Sequence, residues 1–146
     1  MNIHIASDHA GFEMKEILKK YLIETGYTVT DHGAFTYDST DDYPDFITSC
    51  ATAVAGDTDS IGIILGGSGQ GEQITANKID GIRAIEYYGG NLDIVKLGRE
   101  HNDANMLSLG ARFITTDETI TAVETFITTP FSGDARHVRR IEKIEQ

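Results

Sequence analysis

Apolar and polar positions follow two rhythms along this chain, and the rhythms take turns. Residues 2–6 form a short apolar run of strand length, and residues 11–25 then place Phe12, Ile17, Leu18, Tyr21 and Leu22 on one side of a helix with Lys15, Lys19 and Glu24 opposite. Gly26 is positioned as a helix C-cap, and 27–31 reads as a second strand. The polar stretch 32–42 predicts a surface loop, and Pro44 opens a helix to about residue 55. Residues 60–65 are almost continuously apolar, as in a strand buried on both faces of a parallel sheet. A glycine-rich loop, 66–71, leads into a helix over 72–78. The pattern continues with a strand at 82–86, a helix at 92–100, a strand at 106–109, a helix at 119–128 that stops before Pro130, and a last helix over 134–145. This βα alternation predicts a single doubly wound α/β domain over 1–146. It would be Rossmann-like or flavodoxin-like, with about five parallel strands, flanking helices and a C-terminal helical tail.

Composition narrows the function more than the fold. The 146 residues carry a net charge of -11, which argues against nucleic acid or an anionic membrane as partner. Three of the six arginines nevertheless cluster at Arg136, Arg139 and Arg140, and a local field of this kind is what binds a small anion. One cysteine, Cys50, excludes an intramolecular disulfide or a CxxC site, and its apolar helical neighbours make it a core residue. The opening residues lack the basic flank and long apolar stretch of a signal peptide, and no run is long enough to span a bilayer, so a cytoplasmic location is expected.

In a doubly wound sheet, ligands bind beyond the carboxyl ends of the strands. Three chemistry-bearing segments fall there: Asp8-His9-Ala10-Gly11, the run from Gly66 to Glu72, and Gly110-Ala111-Arg112. The glycine run does not have dinucleotide-binding spacing, because Glu72 stands where the third glycine is needed, and no Gly-Lys-Ser/Thr follows as in a Walker loop. Tight packing alone can require such a turn. A carboxylate on the first helical turn beside an array of amide donors instead pairs a potential base with a potential oxyanion site. The other signals are individually weak. Asp8 has the character of an ordinary N-cap, His101 of a residue facing a helix dipole, and the arginines of a solvated face, although Arg136 and Arg140 at i and i+4 can clamp a phosphate together. His137 lies among them, with substrate contact and solvent exposure both open; His4 and His32 have no assigned role. No His/Asp/Glu set shows clear metal-ligand spacing.

Six segments in order resemble the family of B-type ribose-5-phosphate and galactose-6-phosphate isomerases. They are Ser7-Asp8-His9-Ala10-Gly11, Asp41-Asp42-Tyr43-Pro44, Gly67-Ser68-Gly69-Gln70-Gly71-Glu72-Gln73, Ala76-Asn77-Lys78, Gly81-Ile82-Arg83-Ala84 and Glu100-His101-Asn102. The likeness runs nearly the whole chain. Some members of that family place a cysteine base where this chain has Gly66. The chain is more similar to the actinobacterial-type members with Gly-Gly-Ser-Gly-Asn-Gly-Glu-Gln, in which the glutamate is the base, with Gln70 in place of Asn. The resemblance implies a cofactor-free, metal-free aldose–ketose isomerase of the pentose phosphate pathway, interconverting ribose 5-phosphate and ribulose 5-phosphate. Glu72 would be the base and His101 would open the sugar ring. Substrate would be held by Asp8, His9, Gly67, Ser68, Gly69, Gln70, Gly71, Asn102, Arg112, Arg136 and Arg140. It further implies a homodimer or dimer of dimers with sites shared between subunits. The stretch Tyr88-Gly89-Gly90-Asn91 departs from the family pattern and is a candidate for tuning substrate preference. An isomerase of a four- or six-carbon sugar phosphate, or a non-catalytic sugar-phosphate binding module, is the competing reading.

Overall fold

The structure is a computed structural model that describes residues 1–146. Five parallel strands, β1 (Asn2–Ser7), β2 (Thr28–Asp31), β3 (Ser60–Gly66), β4 (Ala84–Tyr87) and β5 (Met106–Gly110), form one sheet in the order β2-β1-β3-β5-β4. Six helices flank it: α1 (Phe12–Glu24), α2 (Tyr43–Ala55), α3 (Gln70–Ala76), α4 (Asp93–Asn102), α5 (Thr116–Thr128) and α6 (Ala135–Ile144). Ile3, Ile5, Ile61, Ile63, Leu107 and Leu109 pack against α1, α4 and α5 on one face. Ala6, Ile64, Ala84 and Met106 meet Ile47, Cys50 and Val54 of α2 and Ala76 of α3 on the other. The doubly wound architecture is thus present, and no helix is long and apolar enough to cross a membrane.

Burial orders the strands. Every residue of β3 and β5 is buried, whereas β2 alternates between exposed and half-buried and β4 leaves Ile85 and Glu86 partly open. The apolar strands therefore take the interior and the more polar ones the edges. Consequently β5 inserts between β3 and β4, so the order differs from a simple sequential winding.

The pattern reading misplaced three details. Lys15, assigned to the polar side of α1, is fully buried, and Ile17, assigned to the apolar side, is exposed. The core face of α1 runs through Lys15, Leu18 and Leu22. Lys15 is accepted there because its Nζ lies 2.8 Å from both Asp31 oxygens and 3.0 Å from Glu16, while Lys19 donates to the same two carboxylates. Helix α3 starts at Gln70 rather than 72, which makes Glu72 its third residue. Helix α5 starts at Thr116 rather than 119, fixed by a capping box in which Thr115 Oγ1 accepts from the Glu118 N–H and Glu118 accepts from the Thr115 N–H. The β-branched threonines of that segment hide the helical rhythm.

Candidate active site

The chain winds away from β1 in opposite directions to reach β2 and β3, which opens a crevice beyond the carboxyl ends of β1 and β3. The turn after β1 supplies Asp8 and His9, the loop after β3 supplies residues 67–69 and then Glu72, and the loop after β5 supplies Arg112. These segments are sewn together by backbone bonds: the Ala111 N–H donates to the Gly66 carbonyl (2.9 Å) and the Arg112 N–H to the Gly67 carbonyl (3.1 Å). Ser108 of β5 donates its hydroxyl to the Gly69 carbonyl at 2.6 Å. Gly69 turns the loop into α3 with φ +84°, a left-handed conformation that L side chains resist. The ring of Tyr43, at the start of α2, closes over Gly71, where an added Cβ would lie 2.7 Å from the phenol oxygen.

Glu72 is the chemical centre of this crevice. Its side chain is buried, 4% exposed, and its carboxyl sits directly over Gly66: a Cβ at residue 66 would lie only 2.1–2.3 Å from Cδ and both oxygens. The glycine and the buried glutamate therefore require one another. Burial pushes the Glu72 pKa up. A hydrogen bond from its own N–H opposes that shift, while the Asp8 and Glu86 carboxyls add to it. Beside this carboxyl, the N–H groups of Gly67, Ser68 and Gly69 make no hydrogen bond within the chain, and the Gln70 N–H donates only to Ser68 Oγ.

Asp8 and His9 are more firmly built than their isolated motif suggests. Asp8 Oδ1 accepts from the Ala10 and Gly11 N–H groups, at 2.9 and 3.2 Å. His9 donates its backbone N–H to Asp41 Oδ1 at 3.1 Å, and its Nδ1 lies 2.6 Å from the same oxygen. The Asp41 hydrogen bond, with Asp8 nearby, raises the His9 pKa against the smaller effects of burial and Arg112. Ligand-type atoms of Asp8, His9 and Asp41 lie within 4.8 Å of one another, a grouping invisible in sequence because Asp41 comes from the 32–42 loop. The His9 nitrogen facing this group is occupied by its hydrogen bond to Asp41. Asp41 itself had only been part of a matching motif; its chemistry emerges from the fold, as does the position of Glu86, a carboxyl on β4 whose pKa burial raises.

The remaining candidates lie elsewhere. Helix α4 leaves the carboxyl end of β4 and must return to the start of β5, so His101, in its last turn, lies toward the amino ends of the strands, whereas Asn102 beside it lines a groove with Gln73 and Glu86. The Asn102 carbonyl there accepts from Arg83, the residue just before β4, at 3.0 Å. His101 stacks on His137 with ring centroids 4.3 Å apart and planes 11° from parallel, which docks α6 on α4. His137 is buried, and desolvation followed by His101 and the adjacent Arg136 and Arg140 lowers its pKa; the two arginines are exposed on α6. Solvent exposure of His137 is thereby excluded. Within one chain the candidates thus fall into two groups, Asp8, His9, residues 67–72 and Arg112 beyond the carboxyl ends of the strands, and His101, Arg136 and Arg140 around α6, while Asn102 lines a groove with Gln73 and Glu86. A cavity of about 670 Å³ belongs to neither group. It lies at the amino ends of the strands, and its Arg83 and Arg99 are already committed to Asp103, Glu145 and backbone carbonyls.

The model of the ribose/galactose isomerase family matches residues 3–144. A curated relative named ribose-5-phosphate isomerase B, from Mycolicibacterium paratuberculosis, is 45% identical over 142 residues, covering 97% of this chain and 88% of its own. The crystal structure of ribose-5-phosphate isomerase B from Mycoplasma genitalium with bound ribulose-5-phosphate aligns with a TM-score of 0.93 at 39% identity, over 99% of this chain and 93% of the other. A ribose 5-phosphate isomerase from Thermotoga maritima aligns with a TM-score of 0.91 at 43% identity, over 99% and 97%.

Proposed function

The chain belongs to the ribose/galactose isomerase family, and on that premise we propose that it interconverts ribose 5-phosphate and ribulose 5-phosphate through an enediolate, with Glu72 as the base. The observation that carries this reading is the buried, pKa-raised Glu72 carboxyl held beside three unspent backbone donors. A base needs proton affinity, and burial supplies it. Glu72 takes the proton from C2 of the open-chain aldose and returns it to C1, while the proton of the C2 hydroxyl passes to O1, so that C2 becomes the carbonyl and C1 the hydroxymethyl carbon. The charge that develops on the oxygen meets amides already fixed in place, where one such donor contributes on the order of 2.7–4 kcal/mol in other enzymes. His101 acts on the ring oxygen to open the furanose, and Arg112, Arg136 and Arg140 hold the phosphate.

Such a site needs both groups, and a second copy of the chain brings them together. Helices α3 and α4 flank a groove containing Gln73, Glu86 and Asn102, rimmed by Ile94 and Leu97, with Ile74 exposed on α3. Solvent-facing aliphatic side chains on adjacent helices suit an isologous dimer contact. Each complete site then takes Glu72 from one protomer and His101, Arg136 and Arg140 from its partner.

Reaction in deuterated water tests the route. Deuterium should enter the product, chelator should have no effect, and Glu72→Gln should lower kcat by about 10²–10⁴ while substrate still binds. Complete retention of the substrate proton with chelator inactivation would favour a metal-assisted hydride shift, and wild-type turnover by Glu72→Gln would remove it from the mechanism. Assay of four-, five- and six-carbon sugar phosphates separates the substrates.

A further inference from the structure

Asp41 is a carboxylate that the proposed reaction does not use, yet it is almost fully enclosed, with 8% of its side chain exposed. Both hydrogen bonds made by its Oδ1 go to one residue, the backbone N–H and the Nδ1 of His9. Its place is set twice over. The loop that carries it is stitched to the end of β1, with the Ser7 N–H donating to the Gly33 carbonyl at 2.7 Å and the Ala34 N–H donating to the Ser7 carbonyl at 2.6 Å. The following residue, Asp42, is the N-cap of α2. The Tyr37 ring meets the imidazole edge-on, 6.2 Å away at 86°, so the ring of His9 is confined on two sides.

We propose that Asp41 is a positioning residue for His9, holding its Nδ1 as a donor toward Asp41 so that Nε2–H of an imidazolium is presented to the anionic group of the substrate. This rests on the reading of His9 as a substrate contact. Geometry fixes the ring, because one carboxylate oxygen receives the backbone and the side chain of the same residue and leaves a single orientation. Charge fixes the proton. A neutral His9 with its hydrogen on Nδ1 would present a lone pair at Nε2 and repel a phosphate or an enediolate oxygen, whereas the imidazolium donates from both nitrogens. The charged groups that face His9 are Asp8 from its own turn, Asp38 and Asp41 from the 32–42 loop, and Arg112 from the loop after β5. Three carboxylates against one guanidinium favour the protonated ring, in keeping with its raised pKa.

Asp41→Asn separates the two contributions, since the amide oxygen still accepts from Nδ1 but the charge is gone. The KM of this variant for ribose 5-phosphate, divided by that of the wild type at the same pH, should approach one as the pH falls and His9 becomes protonated in both. It should rise on the order of tenfold by pH 8, while kcat changes by less than about threefold. The ratio cancels titration of the substrate phosphate. In ¹⁵N-histidine spectra the His9 midpoint should fall in Asp41→Asn. A KM ratio that does not vary with pH, or an unmoved His9 midpoint, overturns the proposal. His9→Asn distinguishes the layers. If it raises KM while Asp41→Asn at pH 8 does not, only the positioning role falls. If His9→Asn has no effect on KM at any pH, the substrate contact falls and the positioning role with it. Wild-type activity that requires an added divalent cation and disappears in Asp41→Asn would assign the carboxylates to a metal and also overturn it.

Discussion

Gly66→Ala is the sharpest perturbation of this site, because it adds a single methyl group at a place where the structure leaves no volume. An ideal Cβ there overlaps Cδ and both oxygens of Glu72. Carbon atoms settle at about 3.5–4.0 Å, so the carboxyl must move by something over 1 Å. Misplacing a reacting group by about 1 Å costs on the order of 10²-fold in rate, within the 10²–10⁴ that a general base contributes in total. The fold should survive, since overpacking costs about 1–3 kcal/mol against a stability of about 5–15 kcal/mol. The pH dependence carries a second signature. With Glu72 as the proposed base, turnover requires its ionised form, so the rate should rise with pH through its pKa. In the wild type that limb should be shifted upward, because burial raises the pKa. Displacing the carboxyl toward solvent removes part of that cause, so the limb should move to lower pH even as the plateau falls. Steady-state kcat and kcat/KM across pH, the latter reporting the free enzyme, with circular dichroism to verify folding, measure both. Gly66→Ala combined with Glu72→Gln should be no slower than Glu72→Gln alone, because both changes disable one group. Turnover in Gly66→Ala within about threefold of wild type, with an unmoved acid limb, would refute the assignment of Glu72 as a base seated over Gly66.

Other outcomes follow from the same structure. A carboxyl whose pKa is raised on folding stabilises the protein below its unfolded pKa and loses that contribution as pH rises through the folded value, so Glu72→Gln should raise Tm at pH 7, with the gain vanishing in acid. At Asp31, burial opposes ionisation, but hydrogen bonds from Lys15, Lys19 and the Gly33 N–H outweigh it and lower the pKa. Its stabilisation is therefore present at neutral pH and lost as pH falls through the folded pKa. Asp31→Asn should cost about 3–5 kcal/mol in urea unfolding, because buried Lys15 loses its main partner; a loss below about 1 kcal/mol would show that Glu16 suffices. Cys50 lies in the core with its thiol pKa pushed up, so iodoacetate should leave native activity intact and Cys50→Ala should turn over normally once folded. Mixing Glu72→Gln with Arg136→Ala/Arg140→Ala should restore activity after subunit exchange, since about half of the dimers are mixed and each carries one undamaged site. Verified exchange without recovery would mean that the arginines act within their own chain.

The sequence alone determined the local elements, because strand and helix periods are properties of neighbouring residues and need no knowledge of the rest of the chain. Six of the seven buried positions of β3, residues 60–65, and the glycine loop leading to Glu72 were legible for that reason. So was the inert Cys50, set among apolar helical neighbours. The packing of one element on another lay beyond that horizon. The helical pattern assigned Lys15 to solvent, and only the position of Asp31 on the adjoining strand made its burial tolerable. Strand order depended on comparing the burial of β5 with that of β4, which places His101 at the far end of the sheet from Glu72 although both segments match one family pattern. Asp41 reads as one acidic residue in a polar loop until the turn after β1 brings His9 within 2.6 Å of it. The coupling of Gly66 to Glu72 is likewise a matter of volume: six positions apart in the chain, they share one space, and excluded volume is a property of three dimensions that no periodicity along the chain encodes.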